Sequence, residues 1–235
     1  MLVLKDQIDI WLVEINRKNY HCALTLKCFL SDLETRKQNN FIFFKDQQIY
    51  LTSHIALRLI LSKYLDIGPK FIEFQFNSYN KPYIRDCSEL YFNLSHSGKL
   101  ACIAVSTVEV GADIEYVSEN FNYLEIVNNY FARKEVDLID IQRDSANKSK
   151  MFFKIWTMKE ALLKATGKGL TVDLPIINKQ ESYWQCTNPE YNIWQIKELE
   201  LFYENYIASI AYPKGEILSV NYYNYTFNCT SQNLI

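Results

Sequence analysis

The sequence predicts an α+β fold of two similar halves, each a small, mostly antiparallel sheet packed with helices. The length of 235 residues, 49% of them apolar, suits either one large unit or two small domains. An order of helix followed by strands occurs twice along the chain. The strand pattern of Leu100–Ser106 is echoed at Tyr206–Tyr212, either through an internal duplication of about 100 residues or through the coincidence of two core strands.

The first half opens with a predicted strand inside residues 3–15, where Ile8, Ile10 and Leu12 alternate with Trp11 and Val13. A polar stretch follows. Apolar residues then repeat at helical spacing over residues 47–64, which predicts an amphipathic core helix. Residues 72–76 alternate as a short strand, and turn-forming residues follow it.

The middle of the chain changes to a strand pattern at residue 90. Three strands, at residues 90–94, 100–105 and 110–117, are predicted to form an antiparallel meander, with Ser95–Gly98 as the loop after the first. Helices are then predicted over residues 123–131, 134–141 and 148–166, the last ended by Gly167 and Gly169. The remaining predicted strands are residues 193–201, 206–212 and 217–225.

Charge and cysteine content narrow the function classes. The 25 Lys+Arg against 27 Asp+Glu give a formal net charge of −2, which argues against a general binder of nucleic acid or membrane surfaces. The six cysteines are scattered without a CxxC pair, so we interpret them as free thiols in a reducing compartment. No apolar run reaches the roughly 18 residues of a membrane span, and we therefore expect a cytoplasmic protein.

The first candidate site is Gly111-Ala-Asp-Ile-Glu115, inside an apolar strand. Because strand side chains alternate, Asp113 and Glu115 project from one face and repel each other. A hard divalent cation such as Mg²⁺ is the simplest way to relieve that repulsion. An edge strand with an acidic solvent face is the alternative.

The second candidate lies on the long helix of residues 148–166. Trp156, Glu160 and Lys164 stand at i, i+4 and i+8, so one helix face displays an indole, a carboxylate and an ammonium. A Glu-to-Lys pair at this spacing is also a common surface stabiliser. Trp156 is most simply a core residue.

The third candidate is the polar loop Asn93-Leu-Ser-His-Ser97. Ser95 and His96 supply donors suited to a phosphate oxygen. A capped turn with a hydrogen-bonded histidine explains the same residues. The sequence contains no glycine-rich phosphate loop and no zinc-ligand spacing.

Taken in order, Phe92-Asn-Leu-Ser-His-Ser-Gly98, Gly111-Ala-Asp-Ile-Glu115 and Trp156-Thr-Met-Lys-Glu-Ala-Leu-Leu-Lys164 resemble the signature of the 4′-phosphopantetheinyl transferases, in particular the monomeric surfactin-synthetase-activating type. The resemblance implies two halves related by pseudo-twofold symmetry, divided as residues 1–108 and 109–235. It also implies transfer of the phosphopantetheine arm of coenzyme A to a serine of an apo acyl or peptidyl carrier protein, with release of 3′,5′-ADP.

The resemblance implies roles for individual residues. Asp113, Glu115 and Glu160 would hold Mg²⁺ against the coenzyme A pyrophosphate, and Lys164 would meet the same pyrophosphate and neutralise the departing phosphate. The general base toward the carrier serine would be Glu160 or Glu135, and the sequence leaves both open.

For the nucleotide, the resemblance implies contacts from Ser95 and His96 to phosphates, from Lys81 near the nucleotide and from Lys37 near the 3′-phosphate. Two positions depart from the family pattern. The segment after residue 40 is apolar where further basic residues are usual, and Asn80 stands where a glycine commonly precedes the lysine.

The resemblance also implies that Tyr123–Phe131 docks the carrier. Carrier proteins are typically acidic, so a docking surface needs local apolar and basic groups, and Arg133 and Lys134 are the nearby candidates for the basic ones. Two rival functions remain. An Asp, Glu and Lys set also occurs in metal-dependent nucleases, although the helical Glu160–Lys164 spacing and the balanced charge count against one. A silent relative that binds coenzyme A or a carrier without transfer is the non-enzymatic rival.

Overall fold

The computed structural model describes residues 2, 4–118, 121–169, 174, 176–179, 184–217 and 219–228. Within these residues the helices are α1 (Arg17–Thr25), α2 (Asp32–Asn39), α3 (Phe44–Leu65), α4 (Leu124–Tyr130), α5 (Arg133–Asp140) and α6 (Ser145–Thr166). The strands are β1 (Gln7–Glu14), β2 (Phe74–Phe76), β3 (Pro82–Ile84), β4 (Tyr91–Ser97), β5 (Leu100–Ser106), β6 (Gly111–Tyr116), β7 (Ile177–Lys179), β8 (Trp184–Cys186), β9 (Trp194–Glu198), β10 (Tyr206–Pro213) and β11 (Ser219–Tyr225).

Two sheets lie face to face in the centre of the molecule, and a long helix covers the outside of each. The first sheet has the strand order β11-β1-β5-β4, and the second has the order β6-β10-β9-β8-β7. Ile8, Ile10 and Leu12 of β1 pack between the sheets, whereas Trp11 and Val13 pack against α3. This division confirms the alternation predicted for the opening strand. Helix α6 covers the outer face of the second sheet.

The two halves repeat one another, as the fold class predicts. Helices α3 and α6 both have 22 residues, and each packs on an antiparallel part of its own sheet. The echoed segments form β5 and β10, which are buried along nearly their whole length. The C-terminal strand β11 returns to the first sheet and pairs in parallel with β1, so residues beyond 108 complete that sheet.

The predicted meander is wrong. β4 and β5 form an antiparallel hairpin, but β6 leaves that sheet and pairs with β10. Residues 95–97, predicted as a loop, continue β4, and the turn follows at Gly98, which has φ +58°. Successive strands usually neighbour one another, but here the third strand joins the other sheet.

Helices α1 and α2 occupy the polar stretch that the hydrophobic pattern left unassigned. α2 begins with a capping box, in which Ser31 and Glu34 exchange side-chain and backbone hydrogen bonds.

Four cysteines, Cys28, Cys87, Cys102 and Cys186, are free thiols as predicted. The prediction is wrong for Cys22, which is disulfide-bonded, because spacing along the chain does not reveal which sulfurs meet in the fold. Cys229 lies outside the described residues.

Candidate active site

The two halves meet along a seam where β4 lies beside β6. Each is an edge strand of its own sheet. Polar side chains on one face of β4 accept hydrogen bonds from backbone N–H groups of β6: Asn93 from Ala112 at 2.9 Å, Ser95 from Ile114 at 3.4 Å and Ser97 from Tyr116 at 3.1 Å. Side chains on one face of a strand recur every two residues, and so do the backbone N–H groups on one edge of the opposite strand. Each of the three side chains therefore lies opposite one N–H group. The seam therefore brings the serine–histidine motif against the acidic strand.

The acidic side chains of β6 face this seam. Asp113 is 3% exposed, and its Oδ1 accepts hydrogen bonds from Ser95 Oγ at 2.8 Å and from Lys164 Nζ at 2.6 Å. Lys164 Nζ also donates to Ser95 Oγ at 3.0 Å. Glu115 is partly buried and accepts a hydrogen bond from Ser97 Oγ at 2.7 Å. Ser97 has no predicted role in the sequence analysis. Its spacing of two residues from Ser95 and four from Asn93 nevertheless indicates that the three side chains share one strand face.

Helix α6 forms the opposite wall. Trp156, Glu160 and Lys164 line one cavity with the β6 carboxylates, which confirms that these three residues share a helix face. Trp156 is partly exposed in that wall and also packs against the hydrophobic core of the second half, so its assignment to the core is confirmed in part. The close approach of α6 depends on Gly111, because a Cβ there would lie 2.1 Å from the carbonyl oxygen of Ala161.

The walls enclose a groove of three adjoining cavities. The central cavity, of about 310 Å³, is lined by Leu94, Ser95, His96, Asp113, Glu115, Trp156, Glu160 and Lys164. A hairpin cavity of about 340 Å³ shares Glu160 and Lys164 with it and extends to the β2–β3 turn at Lys81. An aromatic cavity of about 430 Å³ shares Glu115 and Trp156 and extends to α4. The central cavity therefore connects a polar branch to an aromatic one.

The protonation states follow from burial and from the clustering of like charges. Burial, reinforced by the charge of Asp113, raises the pKa of Glu160 to about 7. The same two causes raise the pKa of Glu115. Burial alone would lower the pKa of Lys164, but Asp113 and the two glutamates raise it overall, so the ammonium stays charged. The site thus holds a fixed cation beside a carboxylate that titrates near neutral pH.

Two carboxylate oxygens in this cluster, Asp113 Oδ2 and Glu160 Oε1, are buried without a hydrogen-bond partner. Unpartnered, desolvated carboxylate oxygens are the donors that a hard cation such as Mg²⁺ prefers. Both are available without displacing Lys164, which uses the other oxygen of Asp113. Among the described residues, however, no three His, Cys, Asp or Glu side chains are already grouped as metal ligands. The donor chemistry of the carboxylates that line this cavity fits the ion.

Lys81 lines the hairpin cavity but has its ammonium turned toward the backbone of the second half. Its Nζ donates to the carbonyl oxygen of Ala165 at 2.7 Å and to that of Val110 at 3.4 Å. Burial lowers its pKa to about 8. The preceding Asn80 has φ +65°, a left-handed conformation that asparagine tolerates, which explains how it replaces the usual glycine.

The remaining predicted nucleotide residues lie on the α3 side. His96 is exposed at the mouth of the central cavity. Lys37 lies on α2, with Nζ 5.7 Å from the ring centre of Tyr50, and does not line the central or hairpin cavity. The ring of Tyr50 in turn stacks on the ring of His54, with their centres 3.8 Å apart. Lys37, Tyr50 and His54 therefore lie together between α2 and α3.

Glu135 lies outside the groove. It is fully buried and pairs with Lys159, also fully buried, at 2.8 Å. Its carboxylate further accepts backbone N–H groups of Ala132 at 2.8 Å and Ile177 at 2.6 Å. These contacts join α5, α6 and β7. To act as a general base, Glu135 would have to give up its ion pair with Lys159 and its two backbone hydrogen bonds.

Comparison with known proteins identifies a family that matches most of the chain. Residues 109–211 match the sequence model of the 4′-phosphopantetheinyl transferase superfamily, and residues 16–108 match that of the N-terminal part of 4′-phosphopantetheinyl transferases. The chain is 33% identical over 174 residues to the 4′-phosphopantetheinyl transferase HetI of Nostoc sp., covering 72% of this chain and 73% of HetI.

Two further relatives extend the comparison. The 4′-phosphopantetheinyl transferase Sfp of Bacillus subtilis is 30% identical over 146 residues, 62% of this chain and 64% of Sfp. A protein of Synechocystis sp. is 29% identical over 226 residues, 91% of this chain and 90% of the relative. Within the described residues, no helix is long and apolar enough to cross a membrane.

Proposed function

This chain belongs to the 4′-phosphopantetheinyl transferase family, and from that premise we propose that it transfers the phosphopantetheine arm of coenzyme A to a serine of an apo acyl or peptidyl carrier protein, releasing 3′,5′-ADP. The observation that carries the proposal is the cluster of Asp113, Glu160 and Lys164 inside one groove between the halves. Cleavage of a pyrophosphate requires a cation to neutralise its oxygens and a positive group to neutralise the charge that develops on the leaving phosphate. This cluster supplies residues for both.

Asp113, Glu115 and Glu160 are the residues that would hold Mg²⁺. When bound, the ion would neutralise the pyrophosphate oxygens and polarise the phosphorus under attack. Support comes from the unpartnered oxygens of Asp113 and Glu160. Glu115 lines the same cavity and would supply a third carboxylate.

Lys164 is the group we assign to the leaving phosphate. An ammonium has three N–H donors, and two of them are used by Asp113 and Ser95. The third remains for a phosphate oxygen of 3′,5′-ADP. In the reaction the serine oxygen bonds to the phosphorus that carries the pantetheine, and the bond from that phosphorus to the bridging oxygen of the pyrophosphate breaks. The negative charge on the departing ADP then lies beside Lys164.

Glu160 is the base we favour. Its pKa of about 7 is the proton affinity that suits a general base at neutral pH. Glu160 also lines the same cavity as Asp113 and Lys164. It would take the proton of the carrier serine as the oxygen–phosphorus bond forms. Glu135, buried in its pair with Lys159, supports the packing of α5 and α6 in this proposal.

Coenzyme A would span the groove. The hairpin cavity, with Lys81 and the β2–β3 turn, would take the nucleotide, and His96 at the mouth of the central cavity and Lys37 on α2 would meet its phosphates. Ser95 would act chiefly by holding Asp113 and Lys164, because its hydroxyl already contacts both. The division of the chain after residue 108, the monomeric state and the cytoplasmic location remain predictions from the sequence.

The test is direct. Incubation with coenzyme A, Mg²⁺ and an apo carrier protein should add one phosphopantetheine arm to the carrier, detected by mass spectrometry, and chelation of the metal should stop the reaction. Absence of the modification across several acyl and peptidyl carriers would refute the proposal. Binding of coenzyme A in calorimetry without turnover would favour the silent relative instead.

A further inference from the structure

A larger concavity lies next to the active-site groove, at the ends of the central strands. We call it the lysine bowl. It measures about 530 Å³ and is bounded by the end of β1, the β4–β5 turn, the end of β6, the residues before β10 and Lys45 near the start of α3. None of the roles assigned above to the metal, the nucleotide or the reacting groups uses this surface.

The bowl is positively charged. Lys45 and Lys99 are both exposed in it, and neither has an ion-pair partner among the described residues. The single acidic side chain in the lining is Glu14, which accepts hydrogen bonds from Asn16 Nδ2 at 3.0 Å and from the hydroxyl of Tyr203 at 3.4 Å, so the lining carries a net charge of +1. Two lysines thus face solvent on a protein whose net charge is −2. Such a local excess suits an acidic partner and not a neutral one.

Exposed aromatic residues neighbour two of the lining residues, Lys45 and Tyr203, in the sequence. Phe44, 61% exposed, precedes Lys45 in the chain, and Phe43 beside it is 69% exposed. Phe202, 98% exposed, precedes the lining residue Tyr203. Large exposed aromatics next to unpaired cations are typical of protein interfaces, where they become buried against the partner.

The bowl is also continuous with the site of chemistry. Gly98 and Tyr116 line both the bowl and the aromatic cavity, and that cavity reaches Glu115 and Trp156. A macromolecule seated on the bowl would therefore lie one cavity away from the carboxylates. The serine of a carrier protein must reach those carboxylates, so the carrier has to dock on a surface next to the groove, as the bowl is.

The segment predicted for carrier docking has a different character. Residues 123–131 carry exposed Leu124 and Tyr130 but no lysine or arginine. The nearby Arg133 pairs with Asp137 at 2.9 Å. Lys134 is exposed and has no ion-pair partner among the described residues, so this segment offers an apolar contact with one cation beside it, whereas the bowl offers two.

We propose that the lysine bowl docks an acidic segment of the carrier protein, with Lys45 and Lys99 as its charged contacts and the flanking phenylalanines as its apolar contacts. The proposal rests on the proposed transferase function. It implies that the carrier bridges both halves of the enzyme, approaching the groove from the ends of the strands. Electrostatic attraction there would raise the rate of encounter and would weaken with added salt.

The experiment compares the double charge reversal Lys45→Glu/Lys99→Glu with the wild-type protein, using an apo acyl carrier protein that the wild-type protein modifies. The KM for the carrier should rise at least about tenfold, while the KM for coenzyme A and kcat at saturating carrier stay within about twofold. Added salt should raise the carrier KM of the wild-type protein and have little effect on that of the variant. Phe202→Ala should raise the carrier KM without changing its salt dependence.

The matched control is Lys70→Glu/Lys214→Glu, which makes the same charge change at exposed lysines that line none of these cavities. An unchanged carrier KM in the bowl variant would overturn the proposal, as would an equal rise in the control. A rise in the KM for coenzyme A instead would place the lysines in the nucleotide site and equally overturn it. Failure of the wild-type protein to modify any carrier would refute the proposed function itself, a result visible before any variant is made.

Discussion

Replacement of Glu160 by glutamine should stabilise the protein above neutral pH while removing its activity. Burial and neighbouring carboxylates raise the pKa of Glu160 from 4.5 to about 7, so the folded state holds this proton more tightly than the unfolded chain does. The free energy of unfolding therefore falls as the pH rises from 4.5 to 7 and stays lower above 7. Glutamine keeps the shape of the protonated side chain and has no charge to desolvate.

The magnitude follows from the size of the pKa change. At about 1.4 kcal/mol for each tenfold change in proton affinity, the rise from 4.5 to about 7 corresponds to at most about 3 kcal/mol. For a domain of this size, that is a rise in Tm of roughly 5–10 °C at pH 8. At pH 5.5, one pH unit above the ordinary pKa, only about 1.4 kcal/mol of this penalty has developed, so the difference in Tm should be less than half of that at pH 8.

Thermal unfolding at pH 5.5 and pH 8, with and without Mg²⁺, measures this. Mg²⁺ should raise the Tm of the wild-type protein at pH 8 and should raise that of Glu160→Gln much less, because one ligand is lost. Glu216→Gln, at an exposed turn, is the matched control and should change neither quantity. If Glu160→Gln melts no higher than the wild-type protein at pH 8, or shows the same gain at both pH values, the carboxylate cluster does not have the electrostatics described here.

Three further outcomes follow from the geometry. Gly111→Ala should destabilise the protein and abolish transfer, because its Cβ would meet the backbone of α6 at Ala161; a folded, active variant would contradict this close approach. Glu135→Gln should cost about 3–5 kcal/mol in the free energy of unfolding by removing the negative charge that Lys159 pairs with, and the double variant Glu135→Gln/Lys159→Met should regain stability and activity together. A stable but inactive double variant would instead identify Glu135 as the base. Lys81→Met should lower both Tm and kcat through the end of α6, whereas a rise in the KM for coenzyme A alone would assign it only to the nucleotide.

Much of the site was predictable because its residues follow local periodicity. The i, i+4, i+8 spacing of Trp156, Glu160 and Lys164 and the alternation of Asp113 and Glu115 each place side chains on one face, and the fold preserves both faces. These patterns depend only on the geometry of a single helix or strand.

The errors concern contacts between elements that are distant in the sequence. Nothing in the residues of β6 indicates that its partner is β10, about 95 residues later, or that side chains of β4 would accept hydrogen bonds from its backbone. The environment of Glu135 depends on Lys159 and on the backbone of β7, and a local motif match cannot reveal that burial. The capping box of α2 at Ser31 and Glu34 was a local signal that hydrophobic periodicity alone overlooks.

The side-chain seam between β4 and β6 has a mechanical consequence for the groove. Its three acceptors recur every two residues, about 7 Å along the strand, and each meets one N–H of the opposite strand. Sliding one half along the other by a single residue would set each acceptor against a position whose N–H points away. The seam therefore fixes the register of one half against the other. Because β6 and α6 belong to the same half, that register also sets where Ser95 of β4 meets Asp113 and Lys164.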